Sequence, residues 1–498
     1  MFKFSKNQGK LGIELIWQIF AAIVLTSLFL KAIIDVDVNY DSWWYHLPFS
    51  ARVAGIVPPE LFLGDERWSL PRFAGFPLLA HSLQGFLWLI SGRVQTANLV
   101  CYLSLIVYLI ILKTNFQIPL YLSAIALLSI PLVLTHTTTC LVDLPGNIGF
   151  SVVLMLTHKL FAQKQLPTKT ELLIATLAAA TAANTKTLLQ PLVFIVLIIF
   201  LGRLSWLYQQ STTISIKNLG KTLSAVILAC LLIFATPVKN TVVYGNPLYP
   251  IKIEIAGIVL NHELVPDAYA AGNRRQKWLR SLLEIQPAPW SAEQSSQQPR
   301  RDRMGGFFGA YVIFNLLLLL SLSLYELLAK NCRSVAARTA LAIIMIISII
   351  VSGSPQSHEL RYFMCWMISL VSLNLSLIAR GINSRGWRWF QPKYMGIVYA
   401  TFLTIVLTKI HHGYLKPSFH TLDQQITKGV KQEFLSQIQP NEQVCLISRH
   451  VENPQKASVA SLKYVFLYSS YFHPELGYSY SVRAAFDPEN CGDRKIIQ

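Results

Sequence analysis

Two acidic residues and two basic ones lie at the edges of apolar runs, where side chains can reach both lipid and water. Asp41 stands in the stretch Tyr40-Asp41-Ser42-Trp43-Trp44-Tyr45-His46-Leu47-Pro48, and Arg52 follows it. Asp143 stands in Thr137-Thr138-Thr139-Cys140-Leu141-Val142-Asp143-Leu144-Pro145, Lys186 follows Asn184-Thr185, and Arg361 follows His358-Glu359-Leu360. A carboxylate within hydrogen-bond reach can take a proton from an attacking hydroxyl or amine. Fixed cations can hold the charge that develops on a departing phosphate. Each residue also has a structural role open to it. Asp41 could cap a short interfacial helix, and Asp143, close to Pro145, could complement a helix dipole. Lys186 could snorkel to the interface, and Arg361 could pair with Glu359. His46 could contact substrate or pack at the interface. His358 and Glu359 could bind a substrate or a metal, but two scattered ligands define no metal geometry.

The elements that must position these residues are membrane helices. Of 498 residues, 53% are hydrophobic and 14% charged, well below the roughly one quarter charged in soluble domains. Eleven apolar runs fall at about 11–33, 94–112, 118–136, 147–164, 170–184, 188–206, 222–242, 307–329, 339–353, 361–380 and 394–410. Runs of this length suit a bilayer. The first follows Lys3, Lys6 and Lys10 and reads as an uncleaved first helix rather than a signal peptide. A further stretch, Phe73–Ile90, is interrupted by Pro77, His81 and Gln84 and reads as a helix at the membrane surface. With that assignment Lys and Arg gather in every loop on the N-terminal side: Lys113; Lys159, Lys164 and Lys169; Arg203, Lys217 and Lys221; Lys330, Arg333 and Arg338; Arg380, Arg385, Arg388 and Lys393. The positive-inside pattern predicts a multi-pass protein of the cytoplasmic membrane, with its N-terminus inside and its C-terminus outside. It also accounts for the net charge of +18 without nucleic acid as a partner.

The fold class expected is therefore an all-α polytopic membrane protein with about eleven spanning helices plus juxtamembrane helices. Residues 1–410 form the membrane core, with long outer loops at 34–93 and 243–306, and residues 411–498 form a small extracytoplasmic α+β domain. In that tail Thr421–Ile438 is helix-like, while Val444–Ser448 and Tyr464–Tyr471 are strand-like. The seven cysteines show no CxxC spacing; Cys445 and Cys491 share the tail, where a disulfide is permitted. The outer loops run against the charge rule. Arg52, Arg67, Arg72 and Arg93 lie in the first, and Arg274, Arg275, Lys277, Arg280, Arg300, Arg301 and Arg303 in the second. They suit either a solvated or headgroup-facing surface or a site for phosphate.

The first-loop stretch from Tyr40 to Pro48 with Arg52 resembles the signature of bacterial GT-C membrane glycosyltransferases, relatives of the protein O-mannosyltransferases and aminoarabinose transferases. Further landmarks are similar and come in the same order: Thr137–Pro145 with Asp143, Asn184-Thr185-Lys186, Tyr244-Gly245-Asn246-Pro247-Leu248-Tyr249-Pro250 and Leu360-Arg361-Tyr362. The resemblance spans residues 11 to about 410 in short scattered motifs. The doubled Trp43-Trp44, and the lack of an acidic pair directly after Asp41, depart from the pattern. The likeness implies transfer of a sugar, with inversion, from a polyprenyl-phosphate-linked donor to a cell-envelope glycan, lipid or protein on the outer face of the membrane. Asp41 would be the base and Asp143 would share the catalytic site. Lys186, Arg361 and Arg52 would hold the donor phosphate, and Tyr45, His46, Glu359 and His358 would contact substrate. No cofactor is required by these residues, although a divalent metal is compatible with them. The alternatives are a transporter or flippase of an anionic lipid or glycan, or a polysaccharide polymerase or ligase. Predicted spans nearly free of charge favour an enzyme site outside the bilayer over a transport route.

Overall fold

The computed structural model describes residues 12–37, 39, 41–56, 66–163, 165–211, 216–265, 272–283, 306–328, 335–385, 390–409, 416–419, 424, 439, 442–447, 481–485 and 492–497. Helices dominate. In chain order they are α1 (Gly12–Ile34), α2 (Leu47–Val53), α3 (Glu66–Gly75), α4 (Leu79–Ser91), α5 (Leu99–Phe116), α6 (Leu120–Leu128), α7 (Pro131–His136), α8 (Asp143–Gln163) and α9 (Lys169–Ala183). There follow α10 (Gln190–Ser211), α11 (Ile216–Ile233), α12 (Ala235–Tyr244), α13 (Arg274–Leu283), α14 (Gly309–Leu328), α15 (Val335–Gly353), α16 (Met364–Arg385) and α17 (Pro392–Lys409).

Among the described residues six helical stretches are long and apolar enough to cross a membrane: Gly12–Ile34, Val94–Phe116, Thr187–Gln210, Gly309–Leu328, Val335–Gly353 and Leu360–Gly381. A seventh arises if α11 and α12, bent by 73° at their junction, count as one span. Each of the eleven apolar runs contains helix, but not always one helix. The run at 118–136 is split between α6 and α7, because Pro131 clashes with a continuing turn and pushes Ile130 into extended backbone (φ −86°, ψ 111°). Phe73–Ile90 is also divided. α3 ends at Gly75, Pro77 lies in the gap, and α4 is 13 residues long, about 20 Å against a hydrocarbon core of about 30 Å. On α4 His81, Gln84, Gly85 and Trp88 are buried while Leu83, Phe86, Leu89 and Ile90 are exposed. His81 and Gln84 therefore face the protein while an apolar stripe faces outward, as a helix against lipid requires.

The centre of the bundle is the Leu360–Gly381 stretch, 94% buried over its apolar window, whereas α1 is 17% buried and peripheral. Polar groups within the bundle pair across helices, as they must where no water competes. Asn374 donates to the Asn315 carbonyl at 2.8 Å, and Tyr108 and Ser372 share a hydrogen bond of 2.7 Å. α8 and α9 pack through small residues: a side chain added at Gly149 would meet the Ala178 carbonyl at 2.6 Å, so this glycine sets how closely the two axes approach.

Sheet is sparse. Strands β1 (Glu254–Ile255) and β2 (Ile258–Val259) form a hairpin whose two turn residues, Ala256 and Gly257, have φ of 50° and 82°, the left-handed pair that a tight hairpin turn demands. In the tail, β3 (Gln443–Ile447) lies between β4 (Ser481–Ala485) and β5 (Lys495–Ile497), parallel to both. β3 overlaps the strand expected at 444–448, beginning and ending one residue earlier. The helix expected over 421–438 (residue 424 apart), the strand at 464–471, Cys491 and the Cys445 side chain lie outside the described residues.

Candidate functional site

Four segments far apart in sequence meet at one end of the bundle. The first runs from α1 through a wide helical turn, Ser42–His46, into α2. Asp41 precedes that turn and its carboxylate makes no capping hydrogen bond. It accepts instead from Arg361, Nη1 to Oδ2 at 2.7 Å. The capping role open to Asp41 is thus not the one its side chain takes. Arg361 opens the tight turn Leu360–Phe363 at the head of α16. Its Nη2 donates to the Tyr362 hydroxyl at 3.0 Å, and Glu359 lies 3.8 Å from its Nε. The contact to Asp41 is much the shorter of the two with carboxylates.

Asp143 is the first residue of α8 and is 1% exposed. It pairs with Lys186, Nζ to Oδ1 at 2.6 Å, so Lys186 turns inward rather than snorkelling to solvent. The two ion pairs are joined by Tyr362. Lys186 Nζ lies 4.1 Å from the centre of its ring and the Arg361 guanidinium 4.9 Å from the same centre, each within reach of a cation–π attraction. Two cations are thereby held on one aromatic ring, each balanced by a carboxylate. This arrangement can exchange a carboxylate for a phosphate oxygen at either cation, and it leaves a carboxylate able to accept a proton.

Backbone-directed amides hold the geometry. Asn147 donates to the carbonyls of Asp143 (2.8 Å) and Arg361 (3.3 Å) and accepts from the Cys365 amide (2.9 Å). It fixes the heads of α8 and α16 to each other. Asn184 donates to Leu232 and Ile233 carbonyls at 3.1 and 3.0 Å and accepts from the Thr236 amide at 3.0 Å. It thus satisfies the backbone groups that the α11–α12 bend exposes, and it seats the turn carrying Lys186. Asp37 accepts from Ser42 Oγ and from the Cys140 amide, the latter at 2.7 Å, linking the loop of Asp41 to that of Asp143. Asn246 is likewise structural. Its side chain donates to Ile251 and Asn261 carbonyls and accepts from the Leu248 amide.

Beside the ion pairs lies a pair of buried imidazoles. His46 (1% exposed) and His81 (3%) share a hydrogen bond, Nδ1 to Nε2, at 2.9 Å. Burial pushes the His81 pKa down to about 3, with Lys186 adding to the effect, and burial and His81 hold His46 well below its ordinary value. Both are therefore neutral at pH 7. The Tyr45 ring packs against His46 at a tilt of 41°, with centroids 4.0 Å apart, and burial together with the Asp41 carboxylate raises its phenol well above the ordinary range. Ser50 and Gln84 lock this layer: Ser50 Oγ donates to Gln84 Oε1 at 2.9 Å and Gln84 Nε2 to the Cys140 carbonyl at 2.7 Å.

Arg52 stacks its guanidinium over Phe73, 4.3 Å from the ring centre. His358 is 4% exposed, and burial with the nearby Lys277 charge lowers its pKa. Among the described residues no group of three or more His, Cys, Asp and Glu is arranged to hold a metal ion. Sequence reasoning did not single out Asp37, Asn147 or the His81 partner of His46. The signal for each was a polar residue inside or just beyond an apolar run, which must find an internal partner. A scan against protein-family models finds no match to this chain, and no curated protein matches it.

Proposed function

We propose that the chain is a membrane glycosyltransferase of GT-C type, moving a sugar with inversion from a polyprenyl-phosphate donor to a cell-envelope glycan, lipid or protein. The reading includes about eleven spans in the cytoplasmic membrane, the N-terminus cytoplasmic, and the site and a small C-terminal α+β domain outside. One observation carries it: Asp41, Asp143, Lys186 and Arg361, drawn from four sequence segments, form two ion pairs about the Tyr362 ring. In the reaction an acceptor oxygen attacks the anomeric carbon and passes its proton to the Asp41 carboxylate. The bond from that carbon to the phosphate oxygen breaks, and the lipid phosphate leaves with the electron pair. Its charge is taken up by Arg361 and Lys186, which exchange their carboxylates for phosphate oxygens. Binding of the donor at Arg361 thus frees Asp41 to act as base. Charged groups gathered at one end of the bundle support an enzyme over a transport route, for which ionisable residues along the spans are the usual mark.

The test is transfer of radiolabelled sugar from polyprenyl-phosphate donors by the purified full chain, supplied with an envelope extract. Asp41→Asn is expected to lower transfer about 10²- to 10⁴-fold, with its melting temperature little changed because Asp41 is 24% exposed. Full activity in Asp41→Asn removes Asp41 as the base. No transfer by wild type from any donor overturns the enzyme reading.

A further inference from the structure

The long loop between α12 and α14 carries an arginine-rich helix that the transfer reaction does not use. α13, Arg274–Leu283, is capped by Asn273, whose Oδ1 accepts from the amides of Arg275 (3.0 Å) and Gln276 (3.3 Å). Ten residues at helical spacing make a rod about 15 Å long. Trp278, Ser281 and Leu282 are buried on one face. Trp278 meets Trp366, five residues beyond Arg361, edge to face at 5.6 Å. A side chain at Gly309 would meet the Leu283 carbonyl at 2.3 Å, and Arg274 Nη1 reaches the Gly353 carbonyl at 3.4 Å. The rod therefore rests on the starts of α14 and α16 and the end of α15, all at the end of the bundle that holds the ion pairs.

Its other face presents Arg275, Gln276, Leu279 and Arg280, all exposed, with Arg274 at the near end. Cations next to an apolar side chain that is 48% exposed do not suit contact with water alone. They suit the level where headgroup meets hydrocarbon, which is where amphipathic cationic helices bind anionic lipid. A soluble polyanion would match the arginines and leave Leu279 unexplained.

We infer that α13 is a binding site for anionic phospholipid: headgroup phosphates of the leaflet at the site end seat on Arg275 and Arg280, flanked by Arg274, while an acyl chain covers Leu279. Guanidinium groups match phosphate oxygens in pairs. The bound lipid also brings a negatively charged headgroup to the end of the bundle that holds the ion pairs. The inference needs the bundle to sit in a bilayer and does not depend on sugar transfer.

The experiment is native mass spectrometry of the purified full chain in detergent, titrated with an equimolar mixture of phosphatidylglycerol and phosphatidylcholine. Wild type is expected to retain phosphatidylglycerol preferentially. Arg275→Gln/Arg280→Gln should reduce that preference on the order of tenfold, since each basic residue near an anionic surface contributes separately. Arg275→Lys/Arg280→Lys, which keeps the charge, should retain most of it, and Leu279→Ser should lower retention of both lipids. An unchanged preference in the glutamine variant overturns the proposal. So does a wild type with no lipid preference that binds polygalacturonate through Arg275 and Arg280.

Discussion

α8 and α9 are tied together by an ion pair at each end, and the two ends differ in what else the charges touch. At the end away from the site, Lys159 and Glu171 meet at 2.6 Å. Lys159 also donates to the Asn115 carbonyl, and Glu171 accepts from both the amide and the hydroxyl of Thr168, closing a capping box. Those extra partners are local turns and helix ends, so the pair serves as a clasp for the α8–α9 connection. At the site end, Asp143 and Lys186 meet at the same distance, but their surroundings are a second ion pair, a shared aromatic face and two neutral histidines. There the neighbours come from α16 and the first loop, and several of them are charged. A pair surrounded by backbone partners has little to exchange; a pair set against another pair can swap partners when an anion arrives.

The comparison is open to three further measurements. The largest effect is expected from Lys186→Ala. Asp143 has 2% of its side chain exposed, and stranding a buried charge costs about 3–5 kcal/mol. A thermal unfolding scan in detergent should show it. The double replacement Asp143→Leu/Lys186→Met should recover most of that stability, because a buried pair replaced by apolar groups of similar volume is often neutral. It should not recover transfer. If Lys186→Ala costs no more than Lys159→Ala, the two ends are equivalent and the contrast fails.

Next in size is an acid sensitivity at the site end. His81 titrates at about 3 in the folded protein, against about 6.5 for an unfolded chain. At pH 7.5 neither state holds the proton. As pH falls below 6.5 the unfolded chain takes it up first, so stability declines down to about pH 3. By pH 5 the loss is about 2 kcal/mol. His81→Gln should make the fall in melting temperature between pH 7.5 and 5 shallower, with His46 still contributing; an unchanged slope would place the acid-labile group elsewhere.

The smallest effect belongs to Lys159→Ala. Its pair is 19% and 14% exposed and lies beside a turn, so a loss of about 1 kcal/mol is expected. Transfer, measured with the same donor, should stay within about twofold of wild type, the scatter expected for a residue remote from the chemistry.

Several parts of this picture were legible in the residues themselves. Apolar runs longer than a soluble helix needs, Pro145 at a helix start, and the interrupted stretch around Pro77 follow from local chain chemistry. Hydrophobic length and proline sterics act within a few residues of one another. Pro131 was equally visible, yet its run read as one element, because apolar length masks a break that costs no charge. Asp41, Asp143, Lys186 and Arg361 stood out as charges at the edges of such runs. What the sequence left open was which acid meets which base: Arg361 had Glu359 two positions away and yet its short contact is to Asp41.

That choice belongs to the tertiary structure. Pairing energies depend on distance and burial, and both are set here by groups remote in sequence: Asn147 joining α8 to α16, Asn184 at the α11–α12 bend, and Gly149 fixing how near α9 can come. The same holds for His46, kept neutral by burial and then by a partner 35 residues away. Local sequence thus determined where helices begin, where they break and which charges lie at their ends. Folding decided how those charges pair, because a buried charge takes the partner that packing brings within reach, whatever its distance along the chain.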